Sequence, residues 1–193
     1  NDAVARSTEV HWISCHHEEF AGVAADGYAR SGKRYGVAIG TTGPGVANLF
    51  TAVAAAWQDS SPVVFLAGQV KTQDSTAIQG LRVRQNGTFE FDSLASYRPI
   101  TKHASIVRNA ADVPGAIDIA IREATTSRPG PVILEIPLDL QRAELPLEST
   151  LEVGSSVSGL DESQMSGDLS GAVDSLVQDL QESHRPLVLL GIG

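Results

Sequence analysis

Cysteine and basic residues are both scarce in this sequence. Cys15 is the only cysteine, so no internal disulfide can form, and a reducing compartment is compatible with that. Lys and Arg number 14 against 23 Asp and Glu, which gives a formal charge of −9. A negative charge of this size repels phosphate backbones and anionic membrane surfaces, and therefore argues against a nucleic-acid partner.

Long hydrophobic runs are missing as well. No apolar run approaches the ~20 residues that a membrane-spanning helix needs, and the first six residues lack the charged and apolar regions of a signal peptide. We therefore expect a cytoplasmic protein without a membrane partner. With 193 residues, 42% of them hydrophobic, the chain can form one full domain and a piece of another.

Strand-like and helix-like segments alternate along the first 140 residues. Runs of β-branched and aromatic residues predict strands at 10–15, 35–40, 62–67, 103–107 and 132–136. Helical spacing of small and apolar residues predicts helices at 18–30, 46–57, 91–97 and 111–125. This alternation indicates an α/β fold with a parallel sheet and helices on both faces.

The helix predicted at 18–30 has its larger apolar side chains at helical spacing. We expect these to form its buried face: Phe20, Val23, Ala24 and Tyr28. Asp26 and Arg30 would then lie on the other side. The segment 71–90 has no clean period, and a loop of that length inside a compact domain is more often functional than idle.

The composition shifts to Ser, Gly and acidic residues over 149–167. We expect a domain at 1–140, a Ser-, Gly- and acid-rich interdomain linker at 141–168 and the start of a second α/β domain at 169–193. In that last part, a helix at 169–183 leads into a strand and a glycine turn. The pattern reads as truncated at both ends, with the first strand-helix unit missing.

Two polar motifs follow successive predicted strands, at the sheet edge where parallel folds bind ligands. Residues 16–19 are His-His-Glu-Glu, and residues 43–45 are Gly-Pro-Gly. Taken alone, Glu18 would be a solvated residue in the first turn of a helix, and the glycines a plain strand-to-helix turn. No metal site is predicted, because the zinc-protease pattern would need a histidine where Ala21 stands.

Together these motifs resemble a known paired signature. Residues 17–30, followed by 41–48, resemble the signature of acetolactate-synthase-like thiamine-diphosphate enzymes. Further likeness lies at 62–70, at 101–102 and at 128–139, so it runs from about Asp2 to Leu140. The resemblance implies the N-terminal pyrimidine-binding domain of that family, with the tail beginning its middle domain.

The resemblance also implies roles for single residues. The glutamate matching Glu18 hydrogen-bonds N1′ of the cofactor's aminopyrimidine ring and activates thiamine diphosphate towards a 2-oxo acid such as pyruvate. The cofactor-binding residues would be Gly43, Pro44, Gly45 and Asn48. Asn48 could instead satisfy the first-turn donors of its helix.

The substrate pocket departs from the family pattern. Phe89 occupies the position where the family usually has an active-site glutamine. Gln85 could supply the amide instead, or be a solvated loop residue, and His17 would either be structural or line the pocket. The departure leaves the acceptor substrate open.

A donor role for Glu18 requires a protonated carboxyl, so the pKa of Glu18 must rise. A helix N-terminus opposes this by roughly 0.3–1 kcal/mol. Burial can raise the pKa of a carboxyl by up to ~3–5 units. Burial therefore has the larger effect on the pKa of Glu18 if the site excludes water.

The family's diphosphate site is missing from these residues. No Gly-Asp-Gly motif occurs in the sequence, so Mg²⁺ and the diphosphate would be held by a domain absent from this chain. The resemblance implies a homodimer or homotetramer of the complete enzyme, and FAD stays undetermined. Two alternatives remain: a noncatalytic assembly or regulatory domain, and an unrelated nucleotide-binding α/β domain, against which the glycine spacing argues.

Overall fold

The computed structural model describes residue 4 and residues 6–32, 34–145 and 169–187. These fall into two compact units, one within residues 1–158 and the other within residues 159–193. The first unit contains a four-stranded sheet in the order β1-β2-β4-β3, with every pair of neighbours parallel. Its strands are β1 Gly36–Gly40, β2 Val63–Gln69, β3 His103–Ile106 and β4 Val132–Pro137.

Helices connect the strands and confirm the α/β prediction. The α-helices of the first unit are α1 Glu18–Arg30, α2 Pro44–Asn48, α3 Phe50–Gln58, α4 Thr76–Gln79, α5 Ser93–Tyr97 and α6 Val113–Thr125. Four 3₁₀ turns lie at Thr72–Asp74, Arg98–Ile100, Ala110–Asp112 and Leu140–Arg142. The helix predicted at 46–57 is thus two consecutive segments, and it begins earlier because Pro44 suits the first position of a helix.

Both faces of the sheet are covered by helices, as predicted. Successive side chains of a strand point to opposite faces, and β2 divides its residues accordingly. Val63 and Phe65 belong to a core shared with α1, α3 and α5. Val64 belongs to a second core, in which Ala120 and Ala124 of α6 are fully buried.

Helix α1 is present at its predicted limits, but the prediction of its buried face is wrong. Its buried residues are Gly22, Ala25, Asp26 and Ala29. The larger apolar residues lie on the exposed side, where Phe20 is 62% and Tyr28 is 55% exposed. The side of α1 that faces the sheet is therefore built mainly from glycine and alanine, and Asp26, which was expected on the other side, is buried with them.

The close approach of α1 to the sheet and to α3 explains why its small residues are the buried ones. A Cβ atom on Gly22 would lie 2.5 Å from Cβ of Ala52 in α3, and one on Gly36 would overlap the carbonyl oxygen of Ala25. Both distances are too short for real carbon contacts, so α1 reaches its position only because these residues lack side chains. Larger side chains must face away from the sheet.

The strand predicted at 10–15 is also wrong. Residues 7–17 form neither helix nor strand, and Ile13 is 87% exposed. β-branched and aromatic residues favour a strand only when a neighbouring strand can pair with the backbone and cover the side chains. The described strands pair only with each other, so residues 10–15 have no neighbouring strand to pair with.

The second unit contains α7 Leu169–Glu182, close to the predicted helix. Most of the predicted linker and the strand predicted after Pro186 lie outside the described residues, so the domain limits stay predictions. No described helix is both long enough and apolar enough to cross a membrane.

A buried carboxyl lies beneath the carboxyl end of the sheet. Glu135 of β4 is 2% exposed and accepts hydrogen bonds from the Ser93 hydroxyl and from Nε2 of Gln69, the latter at 3.1 Å. Burial raises the pKa of Glu135, the nearby charges of Asp92 and Glu90 act in the same direction, and the two hydrogen bonds oppose them. A raised pKa means that ionisation of Glu135 opposes folding.

The packing of α1 predicts opposite effects for two alanine substitutions in that helix. Gly22→Ala should destabilise the chain by about 1–3 kcal/mol, because the added methyl group overlaps Ala52. Gly27→Ala, whose Cβ meets nothing within 4 Å, should stabilise it by about 0.5–1 kcal/mol. Urea denaturation of the two variants and the wild type measures the difference, and equal midpoints for the two variants would contradict the close packing.

The buried carboxyl predicts a pH dependence of stability. Because the folded pKa of Glu135 is raised above its unfolded value near 4.5, its favourable contribution is complete below that value and is lost as pH rises through the folded pKa. Glu135→Gln mimics the protonated acid and removes this loss. Thermal melting of both proteins from pH 5 to 8 should show the variant losing less stability as pH rises, whereas parallel curves would show that Glu135 ionises freely.

Candidate functional site

Glu18 is the first residue of α1, and the preceding histidine fixes where the helix begins. His17 has extended backbone angles, and its Nδ1 accepts a hydrogen bond from the backbone N–H of Glu19 at 3.2 Å. A side-chain acceptor at this position satisfies one of the unpaired donors of the first turn. His17 therefore has a structural role as the N-cap of α1.

The Gly-Pro-Gly turn follows β1 and begins α2. Gly43 has φ +72 and ψ −118, and Pro44 occupies the first turn of the helix. A side chain would be strained at this φ, and a Cβ there would also lie 2.5 Å from the carbonyl oxygen of Phe89. The turn is thus in direct contact with the long loop between β2 and α5.

Glu18 and the turn meet in space although 30 residues separate Glu18 from Asn48. Nδ2 of Asn48 donates a hydrogen bond of 3.0 Å to Oε2 of Glu18. A Cβ on Gly45 would lie 3.0 Å from Oε1 of Glu18 and 2.6 Å from Cγ2 of Thr41. The structure therefore brings together Glu18, Gly45 and Asn48.

The electrostatic surroundings of Glu18 favour its ionised form in this chain. The hydrogen bond from Asn48 has the largest effect and lowers the pKa of Glu18. Its own backbone N–H acts in the same direction, and partial burial opposes them. The dry surroundings that a raised pKa needs are thus not provided by the described residues alone.

The long loop is organised by a carboxylate that sequence reasoning missed. Glu90 is 6% exposed and accepts hydrogen bonds from the backbone N–H groups of Thr76, Asn86 and Gly87 and from the Thr76 hydroxyl, at 2.6–3.1 Å. Burial raises its pKa, but these four donors outweigh that effect, and the net pKa of Glu90 is lowered. The one feature of the sequence that could have indicated this role is an acidic residue at the end of the polar segment 71–90.

The three predicted pocket residues have different surroundings. Phe89 has φ +63, its side chain is 65% exposed, and its backbone packs on Gly43. Gln85 donates from Nε2 to the carbonyl oxygen of Gly87 at 2.9 Å, within the loop. His17 contacts the ring of Phe20, with 5.7 Å between the ring centroids. Phe89 thus contacts the Gly-Pro-Gly turn.

Metal-ligating side chains do not gather in the described part of the chain. Among those residues, no three His, Cys, Asp or Glu side chains are arranged so that they could hold a metal ion. The chemistry that this arrangement offers is a partly exposed carboxylate beside a turn in which Gly43 and Gly45 carry no side chains. Such a site can hydrogen-bond the edge of a flat heteroaromatic ring.

Comparisons with known proteins point to one family. Residues 1–95 match the family model described as thiamine pyrophosphate enzyme, N-terminal TPP binding domain. The probable acetolactate synthase large subunit of Methanocaldococcus jannaschii is 36% identical over 194 residues, which cover all of this chain and 31% of that protein.

Two bacterial proteins show the same likeness. The acetolactate synthase large subunit of Corynebacterium glutamicum is 42% identical over 144 residues, covering 75% of this chain and 22% of that protein. The acetolactate synthase isozyme 1 large subunit of Escherichia coli is 36% identical over 151 residues, covering 77% and 25%. The chain thus spans less than a third of the length of these relatives. It belongs to the thiamine-pyrophosphate enzymes and carries the N-terminal TPP-binding domain of their acetolactate-synthase-like members.

Proposed function

We propose that this chain is the pyrimidine-binding portion of a 2-oxo-acid carboligase or decarboxylase of the acetolactate-synthase type, in which Glu18 activates the aminopyrimidine ring of thiamine diphosphate. The observation that carries the proposal is the hydrogen bond from Asn48 to Glu18, which holds the carboxylate beside the Gly-Pro-Gly turn. The two halves of the matched signature thus meet at one carboxylate.

The residues present fit one end of the cofactor. Gly45 leaves the space beside Oε1 of Glu18 free of a side chain, so a flat ring could approach the backbone there, between Glu18 and Pro44. When bound, thiamine diphosphate supplies the carbon centre that adds to a 2-oxo acid and holds the electrons released on decarboxylation. The task of Glu18 is to hold a proton on its carboxyl and donate it to N1′.

The ionised form of Glu18 in this chain is compatible with that task if another protein surface covers the site. Covering the carboxyl removes it from water and raises its pKa, because desolvation disfavours the charged form. The cofactor ring and a second subunit would supply that cover. Protonation of Glu18 would thus be coupled to assembly and to cofactor binding.

The proposed substrate is a 2-oxo acid such as pyruvate. Phe89 is the foremost candidate for the substrate pocket, because it packs on Gly43 and exposes its ring. Gln85 and His17 remain candidates, although each already makes a hydrogen bond within its own loop or turn. The acceptor substrate is left open.

The remaining needs of the cofactor are assigned to other parts of the protein. We propose that Mg²⁺ and the diphosphate are held by a domain outside these 193 residues, and that the enzyme works in the cytoplasm as a homodimer or homotetramer. The formal charge of −9 fits a small-molecule enzyme better than a nucleic-acid binder.

The exposed side of α1 supports the proposed assembly. Phe20, Val23 and Tyr28 share this side, and Phe50 and Trp57 of the adjacent α3 are 45% and 42% exposed. Exposed large apolar side chains on neighbouring helices are typical of protein–protein interfaces. We propose that this apolar surface packs against a second subunit and so brings cover to Glu18.

The catalytic assignment predicts a large loss of activity when the carboxyl group of Glu18 is replaced by an amide. In the complete gene product with thiamine diphosphate and Mg²⁺, Glu18→Gln should lower the rate of pyruvate consumption roughly 100-fold or more, because the amide cannot exchange a proton with N1′. Glu19→Gln is the matched control, since its side chain points about 100° away around the helix, and it should keep the wild-type rate. Equal rates for Glu18→Gln and wild type would favour the noncatalytic alternative.

The assembly proposal predicts a change in oligomeric state. Replacing Val23 and Tyr28 together by lysine should weaken subunit association about 100-fold or more, because charge would be buried in the interface. Ile119→Lys is the control, because it changes an exposed apolar residue of α6 on the other side of the sheet. Light scattering coupled to gel filtration of the complete protein measures the result, and an unchanged mass for the double variant would exclude this surface.

A further inference from the structure

Asn48 makes the one side-chain hydrogen bond to Glu18 found among the described residues. It is the last residue of α2, and its Nδ2 lies 3.0 Å from Oε2 of Glu18 in a partly buried position. The bond ties the first turn of α1 to the end of the helix that follows the Gly-Pro-Gly turn. One oxygen of the carboxylate is therefore fixed by an uncharged donor.

The second oxygen has room because Gly45 carries no side chain. Oε1 of Glu18 lies beside Gly45, where a Cβ would come within 3.0 Å of it and within 2.6 Å of the Thr41 methyl group. Glycine at position 45 therefore leaves space beside Oε1. The hydrogen bond to Oε2 and the clearance at Gly45 thus determine together which way the carboxylate points.

Few ionisable side chains lie near Glu18, so the amide of Asn48 has the largest effect on its carboxyl. Residues 36–58, which include β1, the turn, α2 and α3, contain no ionisable side chain. His17 and Glu19 are the titratable neighbours on its own helix, and of these His17 contributes to the lowered pKa of Glu18 less than Asn48 does. The state of Glu18 before the cofactor binds therefore depends mainly on Asn48.

We propose that Asn48 is a positioning residue, whose amide holds Oε2 of Glu18 so that Oε1 stays directed at the cofactor side of the Gly-Pro-Gly turn. This inference rests on the proposed function of Glu18 and goes beyond it. Asn48 acts through Glu18 and needs no contact with the substrate. It also keeps the carboxylate ionised and oriented until the site is covered.

The first test follows Glu18 directly, without cofactor. Titration of the 193-residue chain, observed through the ¹³C signal of the Glu18 carboxyl, should give a higher midpoint in Asn48→Leu than in wild type, because the donor is lost. Asn48→Asp has nearly the size of Asn48 and should raise the midpoint further, because a like charge opposes ionisation. If Asn48→Leu does not fold, Asn48→Asp carries the test.

A matched control exists elsewhere in the chain. Nδ2 of Asn109 donates to Oδ2 of Asp112 at 2.9 Å, so Asn109→Leu removes the same kind of bond far from Glu18 in the sequence. It should leave the midpoint of Glu18 unchanged. A midpoint of Glu18 in Asn48→Leu that equals that of the control overturns the inference.

The second test uses the complete gene product with thiamine diphosphate and Mg²⁺. Asn48→Leu should lower kcat by up to ~100-fold with KM for pyruvate little changed, because a misdirected carboxyl affects the reaction more than substrate binding. The pH profile of kcat should also move with the Glu18 midpoint. An unchanged kcat and pH profile would overturn the positioning role, whereas full activity of Glu18→Gln would overturn the proposed function itself.

Discussion

The close contact between α1 and the sheet is the constraint on which the rest of the structure depends. Gly22 and Gly36 remove the two side chains that would hold the helix away from α3 and β1. With the helix at this distance, its first turn lies beside the turn that follows β1. Glu18 can then accept the hydrogen bond from Asn48. The position of the carboxylate thus depends on the packing at Gly22, one helical turn away, and at Gly36.

The same constraint accounts for the exposed apolar surface. Because small residues occupy the side of α1 that faces the sheet, the large apolar residues are left on the outside. A carboxylate that is ionised in this chain but must carry a proton in the proposed reaction needs cover from elsewhere. Assembly through this surface would satisfy both needs, since it would bury apolar side chains and exclude water from Glu18.

Much of the fold was predictable from residue patterns because local spacing and composition determine it. The limits of α1 and the strands at 63–69 and 132–137 follow from helical spacing and from apolar runs. The buried face of α1 was not predictable in this way, because hydrophobicity alone does not register that a helix can approach only through glycine and alanine. The strand expected at 10–15 failed for a related reason, since β propensity does not say whether a neighbour is available.

The proximity of Glu18, Gly45 and Asn48 was predictable from the paired motifs, but the electrostatics of Glu18 were not. The direction of the Glu18 pKa depends on a hydrogen bond from Asn48 that exists only in the folded chain. Glu90 escaped sequence reasoning because its partners, Thr76, Asn86 and Gly87, are mostly backbone groups of an irregular loop. Backbone donors leave no mark on the residue pattern.

A crystal structure of the complete gene product with thiamine diphosphate and Mg²⁺ bound would test the central claim most directly. The account predicts a distance of about 2.6–3.2 Å between a carboxyl oxygen of Glu18 and N1′ of the pyrimidine ring, with the ring over the Gly-Pro-Gly turn. A pyrimidine ring bound elsewhere, with Glu18 left in contact with bulk water, would contradict it.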